Sequence, residues 1–542
     1  MRVAAWLAVG IGLFCLILPG QDRESTLRQV VELLATAPTT HGNRAATAKQ
    51  IADLATDKSL SDVDQAQIRL VAAAVRDAPN PSYAQLEAQV RDLISRPPLN
   101  FKRSYDVPKL ATPAAGGHAS SPNAAPAPAA TANDTAAIRS IEGVEFRFED
   151  VPIELARTHF GSPTKDHILE SAGGGVAILD YDGDGLQDIF IVHGPRLSPD
   201  KKIEWRPNAL YRNLGNWRFV DVAEEAGVAA KAWGSGVCAG DYNGDGHVDL
   251  YVTTFGPNLL YRNNGDGTFT EVAAEAGVVE EGWSTGCAFL DSSGKGQLDL
   301  YVVGYVEATL DQVLTAKRTL LYRGGPLVMT GPVGLPGRSD AFYRYSGAGR
   351  FTRDSSALNG LVAAYGFGVV SFDANDDAMP DLYVANDSNP NFLFLNKGGR
   401  FQESALDSGV ALSADGRGQA GMGVDAGDYD GDGLADIIVT NFSNDTNTIY
   451  RNLGKGQFED VTEAAGLAAR TYARMGWGVA FFDADLDGDQ DIFIANGHIF
   501  PQIDEYTDLR ESFRQRNQLL INAGGQFLDA SDVAAASRPP SE

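Results

Sequence analysis

Residues 173–192 read GGGVAILDYDGDGLQDIFIV, and residues 208–228 continue NALYRNLGNWRFVDVAEEAGV. The same wording returns at 236–253 as GVCAGDYNGDGHVDLYVT and at 258–278 as NLLYRNNGDGTFTEVAAEAGV. Each copy holds a Gly-rich apolar run, an Asp-rich loop, a second apolar run, a Tyr-Arg-Asn-like run and a run like Phe-x-Asp-Val. Short apolar runs bounded by turn residues read as β-strands. Further copies start near Trp283, Tyr365, Gln419 and Met475, and the Asp loops open at Asp180, Asp241, Asp291, Asp373, Asp428 and Asp483. The intervals are 61, 50, 82, 55 and 55 residues. One four-stranded unit cannot bury both of its faces, so copies at this period must stack around an axis as propeller blades. The expected fold is an all-β propeller of six or seven blades, with six recognisable repeats, preceded by a small α-helical segment.

The loops carry the chemistry. In the first, Asp180, Asp182, Asp184 and Asp188 hold positions 1, 3, 5 and 9, with Gly183 and Gly185 between them. The frame recurs at Asp241, Asn243, Asp245 and Asp249, and at Asp373, Asn375, Asp377 and Asp381, where Asp376 replaces a glycine. It recurs again at Asp428, Asp430, Asp432 and Asp436, and at Asp483, Asp485, Asp487 and Asp491. The position-7 carbonyls of Leu186, His247, Met379, Leu434 and Asp489 add a further oxygen. Hard oxygens at this density suit Ca2+. An EF-hand needs a bidentate Glu at position 12 and flanking helices, whereas position 12 here is Ile191, Val252, Val439 or Ile494 within an apolar strand. About five calcium sites are therefore expected. The third loop departs: Ser293 and Lys295 stand at positions 3 and 5. That loop is expected to be empty, its ammonium pairing with Asp291 and Asp299 in place of an ion.

With these repeats in view, the chain resembles the FG-GAP/VCBS repeat propellers, such as the head of integrin α-subunits. It is most similar to the cartilage acidic protein (ASPIC/UnbV) family. The resemblance spans about residues 144–530. It rests on Phe148-Glu149-Asp150-Val151, on the run from Glu170 to Gly175, and on the repeated Tyr-Arg-Asn and Phe-x-Asp-Val units. Gly331-Pro332, Gly334-Leu335-Pro336-Gly337 and Asn496-Gly497-His498 add to it. It implies an exported, calcium-binding, non-enzymatic propeller, often of seven blades. Two features depart from the family pattern. Thr330 precedes Gly331-Pro332 where Cys is frequent, and neither a seventh Asp loop nor the family's C-terminal domain follows Phe527. Phe148-x-Asp150-Val151 looks like the last strand of a repeat, so either six blades close or the ring stays incomplete.

Met1-Arg2 followed by an apolar run from Val3 to Leu18 reads as an export signal over residues 1–20, or as an uncleaved anchor. Residues 21–100 read as helical, with Ile68, Val71 and Val75 on one face and Leu86, Val90 and Leu93 on another. Residues 101–140 form an Ala/Pro-rich linker, and 141–535 form the propeller. Only Cys238 and Cys287 lie beyond the signal, too few for a disulfide framework, and both are expected as small apolar strand residues. The net charge of −27 argues against nucleic acid and anionic membrane as partners, because phosphate binding needs a basic face. A membrane would be met only through an uncleaved anchor.

Strands of a blade alternate direction, so the connections between second and third strands emerge opposite the Asp loops. They carry Trp205, Arg206, Asn386, Asp387, Asn441, Asn444, Asp445 and His498, the expected face for a protein or glycan partner. No catalytic centre is legible. Gly282-Trp283-Ser284-Thr285-Gly286 matches G-x-S-x-G, but it precedes a strand where a nucleophile elbow must follow one. The rival reading is a propeller-based hydrolase or polysaccharide lyase acting on an extracellular glycan, which would need acid and base groups converging over the channel.

Overall fold

The computed structural model describes residues 161–198, 202–320, 327–505 and 511–531, together with 28–31, 33, 44–54, 68, 72, 75, 153 and 155. The expected signal, the linker, the Leu86–Leu93 stripe and the Phe148–Val151 strand lie outside the described residues. The chain divides into two compact units, 1–123 with 415–417, and 124–414 with 418–542. In the first, helix α1 spans Arg44–Leu54. Its Ala48, Ile51 and Leu54 are buried in one cluster with Val30, Val31, Ile68, Ala72 and Val75. Ile68 and Val75 of the expected stripe are helical and buried, and Val71 lies outside the described residues.

The second unit is a six-bladed propeller. Its first blade pairs Val176–Leu179, Asp188–Ile191, Ala209–Asn213 and Phe219–Asp221 in that order. The five blades that follow open with Gly234–Gly240, Ser284–Leu290, Gly366–Phe372, Val424–Gly427 and Gly476–Phe482. All four strands of each blade run antiparallel in chain order, and the fourth blade gains a short parallel strand, Leu358–Asn359. Second strands such as Asp249–Thr254 are wholly buried. Alternation explains this: Leu250 and Val252 pack with the first blade while Tyr251 packs with the third. Both faces of one strand are thus used by two different interfaces.

First strands line the axis, where blades approach too closely for a side chain. A Cβ on Gly175, Gly236, Gly286, Gly368 or Gly423 would collide with the backbone of the next blade. At the outer edge, each Phe-x-Asp-Val strand runs into a one-turn cap. Gly227, Gly277, Gly409 and Gly466 take φ of 78°, 78°, 82° and 75°, and Val228, Val278, Val410 and Leu467 drop into the next interface. The chain of shared cores stops between blades six and one. Leu519, Ile521 and Ala530 form one cluster and Ile191, Ala209 and Tyr211 another, unmerged among the described residues. On that face of blade one Val176 and Ile178 are 58% and 66% exposed.

Cys238 and Cys287 are joined in a disulfide with a Cα–Cα distance of 5.8 Å, contrary to the expectation of two free residues. The reason lies in the repeat frame. Cys238 stands three residues before its loop and Cys287 four before its own, so the two point to opposite blade faces and meet across one interface.

At the far end of every blade one residue pins the turn out of the second strand. Asn208, Asn258, Asn391, Asn447 and Asn517 accept the N–H of His193, Thr254, Asn386, Asn441 and Asn496 at 2.8–3.0 Å. Blade three uses Asp340, which accepts from Gly304 N–H at 2.8 Å and from the Tyr301 hydroxyl. Burial pushes the Asp340 carboxyl up to about 7, although both donors pull it down. The folded state therefore holds a proton that the unfolded chain releases near pH 4, and this stability is lost as pH rises through about 7. Asp340→Asn should raise stability at pH 8 by of order 2 kcal/mol, with little gain at pH 5, as read by urea denaturation at both pH values. Cys238→Ser should cost roughly 2–4 kcal/mol, and reductant should then have no further effect on the melting temperature.

Candidate functional site

The loop between first and second strands is wrapped by its own carboxylates. Asp180 accepts the N–H of Asp184 at 3.1 Å and of Gly185 at 2.9 Å, and the same pair of bonds closes the loops at Asp241, Asp373, Asp428 and Asp483. The wrap needs left-handed backbone at positions 4 and 6. Gly183 and Gly185 supply φ of 73° and 85°, and Asp376 and Ala378 adopt 60° and 64° without glycine's freedom.

Position 9 is buried and faces inward. Asp249 accepts the Tyr242 N–H at 3.2 Å on one oxygen and the Asn263 N–H at 2.7 Å on the other, tying the loop to the third strand. Asp188, Asp381, Asp436 and Asp491 repeat this bridge. Burial raises these carboxyls, to about 7 at Asp249 and Asp436 and about 6 at Asp381 and Asp491. The backbone donors oppose the rise, and neighbouring loop carboxylates add to it.

Three loops converge enough oxygen for a cation. In Asp180, Asp182 and Asp188 one oxygen from each lies within 4.8 Å of the others, as also in Asp428, Asp430 and Asp436 and in Asp483, Asp485 and Asp491. Within the loops, Asp182 Oδ1, both carboxylate oxygens of Asp485 and both polar side-chain atoms of Asn375 are buried without a hydrogen-bond partner. Crowded carboxylates repel one another, and a hard divalent cation with oxygen preference fits these donors. Arg212 flanks the first loop, 2.7 Å from Asp182 and 3.2 Å from Asp184.

The third loop holds no Lys295 ion pair among the described residues; the lysine is exposed. A different cation approaches. Arg344 lies 3.7 Å from Asp299 and 2.6 Å from Asp354, because it projects from the third strand beside the buried Asp299, whereas position 5 points to solvent.

The opposite end of the channel is built from long connections. The blade-three connection between Gly304 and Asp340 reaches across the ring, so that Val328 and Met329 pack on Phe500, Phe442 and Ile499 of blades five and six. Ile168, Leu169 and Ala172 cover the other side, against Trp233, Trp283 and Tyr305. These segments border a cavity of about 540 Å3 that is partly open to solvent. Tyr305, Phe367, Trp477, Phe442 and Phe500 line it, with Met329, Met422 and Met475. Among the described lining residues Asp387 is the one carboxylate, accepting from the Tyr305 hydroxyl at 2.9 Å and the Ser388 hydroxyl at 2.8 Å.

Of the residues expected on this face, Asp387 lines the cavity, and Trp205 and Arg206 are exposed. Asn386 and Asn441 are buried and donate within their own turns, to Pro390 O at 2.6 Å and Thr446 O at 2.7 Å. Asp445 accepts from Gln419 at 2.7 Å, and Asn444 donates to Glu511 at 2.5 Å. His498 is buried, its Nε2 lying 3.3 Å from Ser443 Oγ and 3.2 Å from Glu511. This is not the geometry of a hydrolytic triad, in which acid and serine occupy different ring nitrogens. Here both meet Nε2, while Nδ1 accepts the Phe500 N–H at 3.0 Å. Burial raises the Glu511 carboxyl, but bonds from His498, Ser443 and Asn444 outweigh it and hold the group below its ordinary value. Ser284 is equally committed: it is buried at the start of its strand and accepts from Asn258 at 3.1 Å. Sequence reasoning missed Phe367 and Trp477. Both sit at the centre of a Gly-x-Gly that opens a first strand, where blades two and three carry Ser235 and Thr285.

This architecture defines a propeller of Asp-loop repeats. A family model described as an FG-GAP-like repeat matches residues 180–252, 241–302, 373–439 and 428–494, so the chain carries FG-GAP-like repeats. It is similar to human cartilage acidic protein 1, at 32% identity over 118 residues, which is 21% of this chain and 16% of that protein's length. Among solved structures it is similar to an Agrocybe aegerita lectin described as recognising non-reducing terminal N-acetylglucosamine. That match has 16% identity and a TM-score of 0.36, covering 66% of this chain and 79% of the lectin. The V. cholerae biofilm matrix protein Bap1 matches with 14% identity and a TM-score of 0.28, covering 58% of this chain and 41% of that one.

The loops are also tied to their neighbours. Asn263, Asn396, Asn452 and Asn522 each donate to a position-2 carbonyl of the preceding blade, Tyr181, Ser292, Ala374 and Tyr429, at 2.6–3.2 Å. Asn452→Ala should leave the Ala374 and Ala435 carbonyls without this buried donor and cost roughly 2 kcal/mol in urea denaturation.

Proposed function

We propose that this chain is an exported, calcium-binding propeller that acts as a binding or scaffold protein for a protein or glycan partner. The observation that carries the reading is the chemical asymmetry of the ring: repeated carboxylate loops at one end, and a cavity with long connections at the other. Five loops would hold Ca2+ through positions 1, 3, 5 and 9 and the position-7 carbonyl, from Asp180, Asp241, Asp373, Asp428 and Asp483 onward. Bound calcium would neutralise the crowded carboxylates and rigidify the loops. The third loop, with Ser293 and Lys295, would stay without an ion.

Export is supported by the Cys238–Cys287 disulfide, since such bonds persist in oxidising compartments. The apolar run from Val3 to Leu18 agrees with it. Among the described residues no helix is long and apolar enough to cross a membrane. We read the chain as signal or anchor 1–20, helical region 21–100, linker 101–140 and propeller 141–535. The scaffold reading is favoured over a hydrolase or lyase because Ser443, His498 and Glu511 are mutually committed and buried.

Chelator should lower the melting temperature, and Ca2+ should restore it. Metal analysis of the reloaded chain should give about five ions, reduced by one in Asp182→Ala. An unchanged melting temperature after verified metal removal would refute the calcium reading. For the partner, binding on glycan and protein arrays should be weakened by Trp205→Ala or Asp387→Ala. Loss only on substitutions beside the Asp loops would place the partner site at the other end.

A further inference from the structure

The cavity at the loop-rich end has a chemistry narrower than a general partner face. Its walls are aromatic rings and methionines, and among the described residues no Lys, Arg or His side chain lines it. The nearby His498 turns its Nε2 to Glu511 and Ser443. Rings meet at steep angles: Tyr305 and Phe367 at 85° with centroids 5.4 Å apart, Phe367 and Trp477 at 61° and 5.8 Å. Such an arrangement offers ring faces from several directions, the form in which aromatic quadrupoles hold a cation. The Trp477 indole N–H is spent on Gly497 O at 2.7 Å, so this residue has only its π-surface to offer.

Asp387 supplies the charge. Burial pushes its carboxyl up, although the Ser388 and Tyr305 hydroxyls lower it. No base faces it. Desolvating a carboxylate beside apolar walls is costly unless a cation pairs with it. A neutral sugar is the weaker fit, because sugar recognition needs many hydrogen-bonding side chains. Besides Asp387 and the Tyr305 and Trp477 groups already engaged, the described lining has only the hydroxyls of Ser171, Thr319, Thr330 and Ser388, and those of Ser171, Thr330 and Ser388 already donate to Ile168 O, Lys317 O and Asp387.

We propose that this cavity binds a small organic cation bearing an alkylated ammonium group, held by Tyr305, Phe367 and Trp477 and paired with Asp387. The proposal rests on the reading of this end as the ligand face and names its chemical class. The test is calorimetric titration of the full chain with choline, tetramethylammonium, the neutral choline isostere 3,3-dimethyl-1-butanol, and glucose. Choline should bind about tenfold or more tightly than its isostere. Asp387→Asn, which can still accept from Tyr305, should erase most of that difference while leaving the melting temperature near that of the parent chain. Trp477→Leu should weaken both ammonium probes. Equal affinity for choline and its isostere overturns the proposal. So does glucose binding that Trp477→Leu abolishes, though the ligand-face reading then stands. No binding by any probe, with array partners lost only on substitutions beside the Asp loops, overturns both.

Discussion

The buried aspartate at position 9 is the constraint on which the rest of the propeller depends. In Asp188, Asp249, Asp381, Asp436 and Asp491 one carboxylate joins two backbone donors that belong to different parts of a blade. One donor fixes the start of the loop and the other fixes the end of the third strand. The loop's outer carboxylates are thereby placed on a rigid base. Asp299 shows how firmly this geometry is kept. Its loop has lost two inner carboxylates, yet it still accepts the Tyr345 N–H at 2.8 Å.

That base separates two kinds of chemistry along the channel. At one end, short glycine-bearing loops are nearly identical, because a turn of this tightness leaves little room for variation. At the other end only the pinning residue recurs, as Asn in five blades and Asp340 in the third. Beyond it the connections differ in length and composition. Variable segments on a repeated scaffold are where recognition is built. The connection from Gly304 to Asp340 uses this freedom to cross the ring and border a cavity that no single blade could form.

Much of this was legible in the residues because the repeat is encoded locally. The 1-3-5-9 spacing identifies the loops, and alternating apolar runs identify the strands around them. What escaped depends on contacts between repeats. The Cys238–Cys287 bond becomes visible only when both residues are placed in the repeat frame and their facing is compared. Lys295 looked like an internal counter-ion in one dimension, but Arg344 approaches Asp299 from the third strand. Asn386 and Asn441 were read as loop-surface residues, yet they lie buried at the root of their turns, while Asp387, the next residue, reaches the cavity. The aromatic lining was hidden because Phe367 and Trp477 come from blades four and six.

The asparagine links between blades have a direction. Each runs from a third strand back to the loop of the blade before it, so order in one loop is felt through the blade that follows. Among the described residues the series has two gaps, one at blade one, where Asn213 donates to Gln187 O of its own blade, and one at blade three. In blade three the corresponding residue is Tyr345, whose ring meets Tyr242 edge-on at 6.3 Å instead of donating an amide hydrogen. The loops therefore divide into a short segment, coupled through Asn263, and a longer one, coupled through Asn396, Asn452 and Asn522. The Cys238–Cys287 bond crosses the interface between blades two and three, where such a link is absent. A covalent tie there does for the inner edge of the ring what an amide does elsewhere, and the nearest-neighbour cooperativity expected of a repeat array passes through sulfur at that one step.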